Sequence, residues 1–267
     1  MPATAAIRGK TRGISHASVK VSSRSVGLRR GLEILSLFSD AKPEWGVTEV
    51  ARELGLHKSR VHRAIKTLED MGYLRSNPAT RRYCMGFKAF EIGALAGRLT
   101  NRMAWARPDL RLLAHKLRAT VSLRLVDDDD LLVVDIIESL DDPSAHMPQG
   151  ARVTLNYGAG GQVLAAYRTD NEVGALIGRH GLPRYTAKSL TKESAFLKAI
   201  RRVRRQGYAI SVGQTVPGAF GAAAPIVDSD GKLVAVLVAT RSSKGMSRRA
   251  IKRFALTVAE KAKLLSR

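Results

Sequence analysis

Apolar residues recur along this chain with two periods, and the changes between them mark its elements. Over residues 25–39, Leu28, Leu32, Leu35 and Phe38 make one stripe with Ile34 beside it, which predicts a first helix. Asp40 to Gly46 is a loop broken by Pro43 and Gly46. Val47 to Leu68 then reads as two short helices joined by a tight turn at Gly55. Thr48 offers a hydroxyl to cap the first of them, and Gly55 suits the position just past a helix end, where positive φ is needed. The second helix places Val61, Ile65 and Leu68 at i, i+4 and i+7. Two short runs, Met71 to Arg75 and Arg81 to Met85, flank an Asn77-Pro78 turn and predict a β-hairpin. Three helices followed by a hairpin compose a winged helix-turn-helix.

The helical beat returns from Phe87 to Leu117, through Phe87, Phe90, Ala94, Leu95, Leu99 and Met103, with Pro108 opening a fresh turn over Leu112, Leu113 and Leu117. A long apolar-striped helix between two domains suits a dimer seam, and suits packing onto its own domain equally. The period then falls to two. Thr120 to Val126 alternates like a strand, and Leu131 to Ile137 is a more buried one. Between them, Asp127 to Asp130 has the donors for a hard cation and equally the character of a charged hairpin turn; the turn is the reading adopted. Val153 to Leu155 enters the Gly-rich stretch Gly158-Ala159-Gly160-Gly161, and a helix leaves it. Further helices are predicted at Glu172 to Gly178, Ser194 to Gln206 and Arg248 to Leu265. Strands begin at Tyr208, at Gly221 and at Leu233, the last two joined by an Asp228-Ser229-Asp230-Gly231 turn. The second half is therefore α+β, a mostly antiparallel sheet with helices.

Charge changes the picture. The chain has 45 basic and 23 acidic residues among 267, a net +22, which favours a polyanionic partner. Residues 1–24 carry Arg8, Lys10, Arg12, Lys20 and Arg24 with no acid and no periodicity, and read as a disordered basic arm. The single cysteine, Cys84, excludes an internal disulfide and any zinc site needing two thiolates. No apolar run reaches the roughly 18 residues of a membrane span, and no secretory signal is evident, so a cytoplasmic protein is expected. The six histidines are scattered, no His-Glu-x-x-His pair or Gly-x-Ser-x-Gly elbow occurs, and an enzyme is not expected; neither is a metal or cofactor.

The candidate chemistry lies instead on the helix after Gly55. Opposite its apolar stripe it carries Ser59, Arg63 and Lys66, flanked by Arg60 and His62. In a major groove, Ser59, Arg60 and Arg63 are the candidates for base edges, because a guanidinium matches guanine O6 and N7. Lys58, Lys66, Arg24, Arg81 and Arg82 are the candidates for phosphates.

Taken in order, Leu56-His57-Lys58-Ser59-Arg60-Val61-His62-Arg63, Met71-Gly72-Tyr73-Leu74, Arg82-Tyr83-Cys84-Met85-Gly86, Gly150-Ala151-Arg152-Val153 with Gly161, Gly207-Tyr208-Ala209 and Ala223-Ala224-Pro225-Ile226-Val227-Asp228 resemble the IclR family of bacterial transcriptional regulators. The resemblance runs from about Ser25 to the C-terminus. After the basic arm (1–24) read from composition, it implies a winged helix-turn-helix (25–87), a linker helix (88–118), where the apolar stripe places the dimer seam, and an effector-binding domain (119–267) with a GAF-like or profilin-like sheet. It implies a homodimer or dimer of dimers on a roughly palindromic operator, repressing or activating genes in response to a small organic acid. Gln214 stands where the family commonly has an acid, and Asn156 and Gln162 where it commonly has His and Lys. The effector is expected in a sheet cavity lined by Leu123, Ala159, Gly160, Gly161, Ala222 and Thr240, its carboxylate on the N–H groups near Gly161. Two other classes compete: an architectural nucleic-acid binder without effector control, and an enzyme whose helix-turn-helix serves protein interaction.

Overall fold

The structure is a computed structural model that describes residues 26–100, 103–139 and 147–266. The basic arm with Arg24, and the Asp141-Asp142-Pro143 segment, lie outside the described residues. The chain divides after Thr100 into two units.

The first unit has helices α1 (Val26–Leu35), α2 (Val47–Leu54) and α3 (Lys58–Asp70), strands β1 (Leu74–Asn77) and β2 (Arg82–Met85), and helix α4 (Phe87–Thr100). The helix α2 starts two residues earlier than Thr48 capping requires. Gly46 is the cap residue, and its N–H donates to the Glu49 carboxylate at 2.9 Å, so Glu49 rather than Thr48 closes that end. Gly55 ends the helix at φ 63°, the left-handed conformation expected there. The two strands pair antiparallel from Leu74↔Met85 to Asn77↔Arg82. Trp45 lies along the hairpin, exchanging both backbone hydrogen bonds with Tyr83 at 2.9 Å, and its indole N–H donates to the Leu37 carbonyl. Ile34, Trp45, Val50, Val61, Ile65 and Leu74 form the core. The predicted stripe of α1 is only partly the buried one: Ile34 points inward, whereas Leu28 and Leu32 are exposed. Periodicity marks an apolar face but not whether the same unit supplies its cover.

The second unit opens with a 3₁₀ turn (Ala104–Ala106) and α5 (Arg107–Leu117), which has Pro108 in its first turn. The stretch 88–118, in which Pro108 is expected to open a new helix, is thus in two pieces, α4 in the first unit and α5 packed on the sheet of the second. Strands β3 (Thr120–Asp127), β4 (Asp130–Ile137) and β5 (Arg152–Val153) come next, then α6 (Gly158–Ala166), α7 (Asp170–His180) and α8 (Glu193–Gln206). Strands β6 (Ala209–Val212), β7 (Ala219–Val227) and β8 (Leu233–Ser242) and helix α9 (Arg248–Leu265) complete it. The sheet order is β5-β4-β3-β8-β7-β6, with every neighbouring pair antiparallel.

Both faces of this sheet are covered, and side-chain alternation assigns each residue to one layer. Val121, Leu123, Ala222, Ala224, Leu237 and Ala239 pack with α5 and α9. Leu131, Val133, Ala223, Val236 and Val238 pack with α6 and α8. The Asp127 to Asp130 run is the β3–β4 turn, with Asp128 at φ 51°. Arginines answer its carboxylates: Arg152 pairs with Asp127, while Arg168 and Arg179 reach Asp129 at 3.3 and 3.1 Å. Among the described residues no helix is long and apolar enough to cross a membrane.

Candidate functional site

Two places stand out chemically, one in each unit. On α3, Val61 and Ile65 are buried, so the opposite side must face water. Lys58, Ser59, Arg60, His62, Arg63 and Lys66 are all exposed there, and Lys58, Ser59, His62 and Arg63 line an open concavity. Lys66 is held by Glu69 at 3.0 Å and Asp70 at 3.1 Å on its own helix, and the hydrogen bonds to these two acids raise its pKa. Such exposed pairs are weak and exchange readily for another anion. Among the described residues, no acid forms an ion pair with Lys58, Arg60 or Arg63.

The wing arginines part company. Arg81 is exposed at the hairpin turn with φ 55°. Arg82 is half-buried, and its Nη2 lies 2.5 Å from Glu49 Oε2, the same oxygen that accepts the Gly46 N–H. The Gly46 hydrogen bond, with the charges of Lys42 and Arg82, holds the Glu49 carboxyl below the ordinary value of 4.5. Arg82 thereby ties β2 to the start of α2, an internal partner that, among the described residues, the wing arginine beside it lacks. The sequence could not pair it with Glu49, 33 positions away.

In the second unit a small cavity of about 40 Å³, open to solvent on one side, lies between the start of α6 and the sheet. Ala159, Gly160 and Thr240 line it, as expected. Leu123 and Ala222 do not; both belong to the layer under α5 and α9 on the other face. Their neighbours Arg124 and Gly221 line the cavity instead. The expectation found the right strands with the wrong parity, because one residue along a strand changes the face. Gly161 is also set back: a Cβ there would lie 2.1 Å from the Leu155 carbonyl oxygen, so this glycine lets the helix approach the preceding backbone.

The residue the sequence reading missed is Arg124. It is 4% exposed, and its Nε donates to Ser122 Oγ at 3.2 Å. No carboxylate of the described residues pairs with it. Its guanidinium reaches the first turn of α6, since a Cβ on Gly160 would sit 3.0 Å from Nη1. Burial pushes its pKa down to about 10, which leaves it charged near neutrality. Tyr157 borders the same space with its phenol pushed up by burial, so it stays neutral and supplies no countercharge. The early amides of α6 add to the positive character, because first-turn N–H groups have no partner within a helix. Ser211, Thr215 and Thr240 contribute hydroxyls, and Met147, Val216 and Val238 contribute apolar wall, whereas the Phe220 ring packs on Phe254 in the other layer. Gln162 and Gln214, which stand where the resemblance suggested charged residues, pair with each other, Gln162 Nε2 donating to Gln214 Oε1 at 2.8 Å. The available signal for Arg124 was its place within an apolar strand, but an arginine in an alternating strand ordinarily marks the solvated face.

Comparison with known proteins agrees with both halves of this description. Residues 27–78 match the IclR helix-turn-helix domain, and residues 99–267 match the C-terminal domain of bacterial transcriptional regulators of the IclR type. The chain is 28% identical to the HTH-type transcriptional regulator BhcR of Paracoccus denitrificans, over 97% of this chain and 93% of that protein. The crystal structure of an IclR-type regulator from Alicyclobacillus acidocaldarius superimposes with a TM-score of 0.77 at 26% identity, covering 90% of this chain and 97% of that one. An IclR homologue from Microbacterium hydrocarbonoxydans, crystallised with 4-hydroxybenzoate, shares the fold with a TM-score of 0.72 at 19% identity, covering 89% and 99%.

Proposed function

This chain belongs to the IclR family of bacterial transcriptional regulators, and from that premise we propose that it reads its operator with the exposed side of α3. The protein is a transcriptional regulator with an N-terminal helix-turn-helix DNA-binding domain and a C-terminal effector-binding domain. The observation that carries the proposal is the exposed cationic face of α3, held outward by the buried Val61 and Ile65. Ser59, Arg60 and Arg63 are assigned to base edges, where a guanidinium bonds guanine in two places. Lys58, Lys66 and Arg81 are assigned to phosphates, with His62 at the groove margin.

The regulator acts on DNA in the cytoplasm as a homodimer or dimer of dimers, and the two-fold axis implies an approximately palindromic operator. Exposed Phe87, Phe90, Ile92 and Leu95 on α4, with Leu28 and Leu32 on α1, support such a seam. Its effector is a small organic acid. The cavity at the start of α6, and the 4-hydroxybenzoate held by one structural neighbour, support that assignment. Binding would bias the dimer between poses of differing operator affinity.

Selection of bound sequences from random DNA by the full chain tests the reading. A two-fold-related consensus is expected, and Arg63→Ala is expected to relax it at one position per half-site. Enrichment of no sequence would favour an architectural binder driven by the net charge of +22.

A further inference from the structure

We propose that Arg124 is the anion anchor of the second unit, and that it selects a monocarboxylate carried on a mainly apolar body. The inference rests on the reading of this cavity as an effector site and names what that effector must look like.

A buried cation is costly to keep unless an anion comes to it. Arg124 is the lone charged residue lining the cavity, and its described partner is the neutral hydroxyl of Ser122. One carboxylate accepting from the guanidinium leaves the enclosed space electrically neutral, and a second carboxylate would find no cation there. Nη1 lies beside Gly160 in the first turn of α6, where N–H groups lack helical partners, so a carboxylate on the guanidinium is within reach of a second kind of donor. Beyond that head, Met147, Val216 and Val238 offer contact to hydrocarbon or ring, and Ser211, Thr215 and Thr240 offer hydroxyls to a polar substituent. The selectivity therefore favours an aromatic or branched monoacid over a dicarboxylate, a neutral amide or inorganic phosphate.

The test is a thermal-shift and calorimetric panel on the full chain and on Arg124→Met and Arg124→Lys. The probes are acetate, benzoate and 4-hydroxybenzoate as monoanions, succinate and phthalate as dianions, benzamide as the neutral form, and inorganic phosphate. At saturation, a preferred monoacid is expected to raise the wild-type melting temperature by about 5 °C. Arg124→Met is expected to lose that shift, and Arg124→Lys to keep part of it. Without ligand, Arg124→Met is expected to melt at or above wild type, since it removes an uncompensated buried charge. Equal monoacid shifts in wild type and Arg124→Met would overturn the role of Arg124 and leave the organic-acid reading standing. Benzamide, phthalate or phosphate stabilising wild type as well as benzoate would overturn the selectivity. A ligand-free Arg124→Met melting well below wild type would make the arginine structural and overturn the inference. Absence of a shift in wild type with every acid would overturn both readings.

Discussion

The cations of α3 and the guanidinium of Arg124, both proposed to hold an anion, stand under opposite conditions of solvent. Arg60 and Arg63 stand in water, where one charge is screened within about 10 Å and a single contact is weak. Affinity there has to come from several cations acting on a polyanion, with release of its counterions. Arg124 is 4% exposed and faces a space with no other charged lining residue, so one contact can carry the recognition. The open face can tolerate loss of a member without disturbing the fold. The closed site shares its walls with the core, so a change in it touches stability and binding together.

Substitutions that separate folding from binding test that contrast. The largest effect is expected at Gly161→Ala, whose Cβ would meet the Leu155 and Thr154 carbonyl oxygens at 2.1 and 2.4 Å. Backbone cannot yield as a side-chain tip does, so a loss of about 3 kcal/mol is expected in urea denaturation. At Gly160→Ala the nearest atoms are Arg124 Nη1 at 3.0 Å and Val238 Cγ2 at 3.3 Å, both side-chain ends. That variant is expected to fold with a change under about 1 kcal/mol and to bind monoacids more weakly, because the guanidinium must move. Similar denaturation midpoints for the two would show that the cavity wall has slack and break the contrast.

On the open face, Arg63→Ala is expected to lower specific operator affinity by about 1–3 kcal/mol per half-site. Its stability should remain within about 0.5 kcal/mol of wild type. A matched pair of binding and melting measurements decides it, and unaltered operator selectivity removes Arg63 from the reading set. A smaller effect distinguishes the wing arginines. Arg81→Ala is expected to reduce the slope of log affinity against log salt by about one, whereas Arg82→Ala should leave the slope nearer wild type. Equal slopes for the two variants would return Arg82 to the DNA.

The smallest effect concerns pH. The folded pKa of Glu49 lies below its ordinary 4.5, so its contribution is fully present above that value and fades as pH falls through the folded pKa. Glu49→Gln should therefore flatten the loss of stability of the first unit between about pH 5 and about pH 3. A variant with the wild-type acid limb would show that Glu49 contributes little to the start of α2.

Much of this protein was legible in order along the chain. The i, i+4, i+7 spacing of Val61, Ile65 and Leu68 fixed which side of α3 is buried, and hence which side presents Ser59 and Arg63. Gly55 announced its turn through the one backbone conformation that favours glycine. The strands around Asp127 to Asp130 and Asp228 to Gly231 were equally plain from alternation and turn residues. These features are local: they depend on residues within a turn or two of each other.

What the tertiary structure alone decided is which partner each face meets. Leu123 and Arg124 are adjacent in an alternating strand, and nothing local says which of them looks toward α6. Arg82 and Arg81 are adjacent in the wing, and only the approach of Glu49 gives one an ion pair within the unit. Leu28 and Leu32 look like core by spacing and are exposed, because the rest of the first unit covers Ile34 instead. The sequence thus determined the elements, their polarity and the family, through interactions of short range. The assignment of faces, and with it the buried arginine, came from contacts between segments far apart in sequence, where a shift of one residue reverses what a side chain meets.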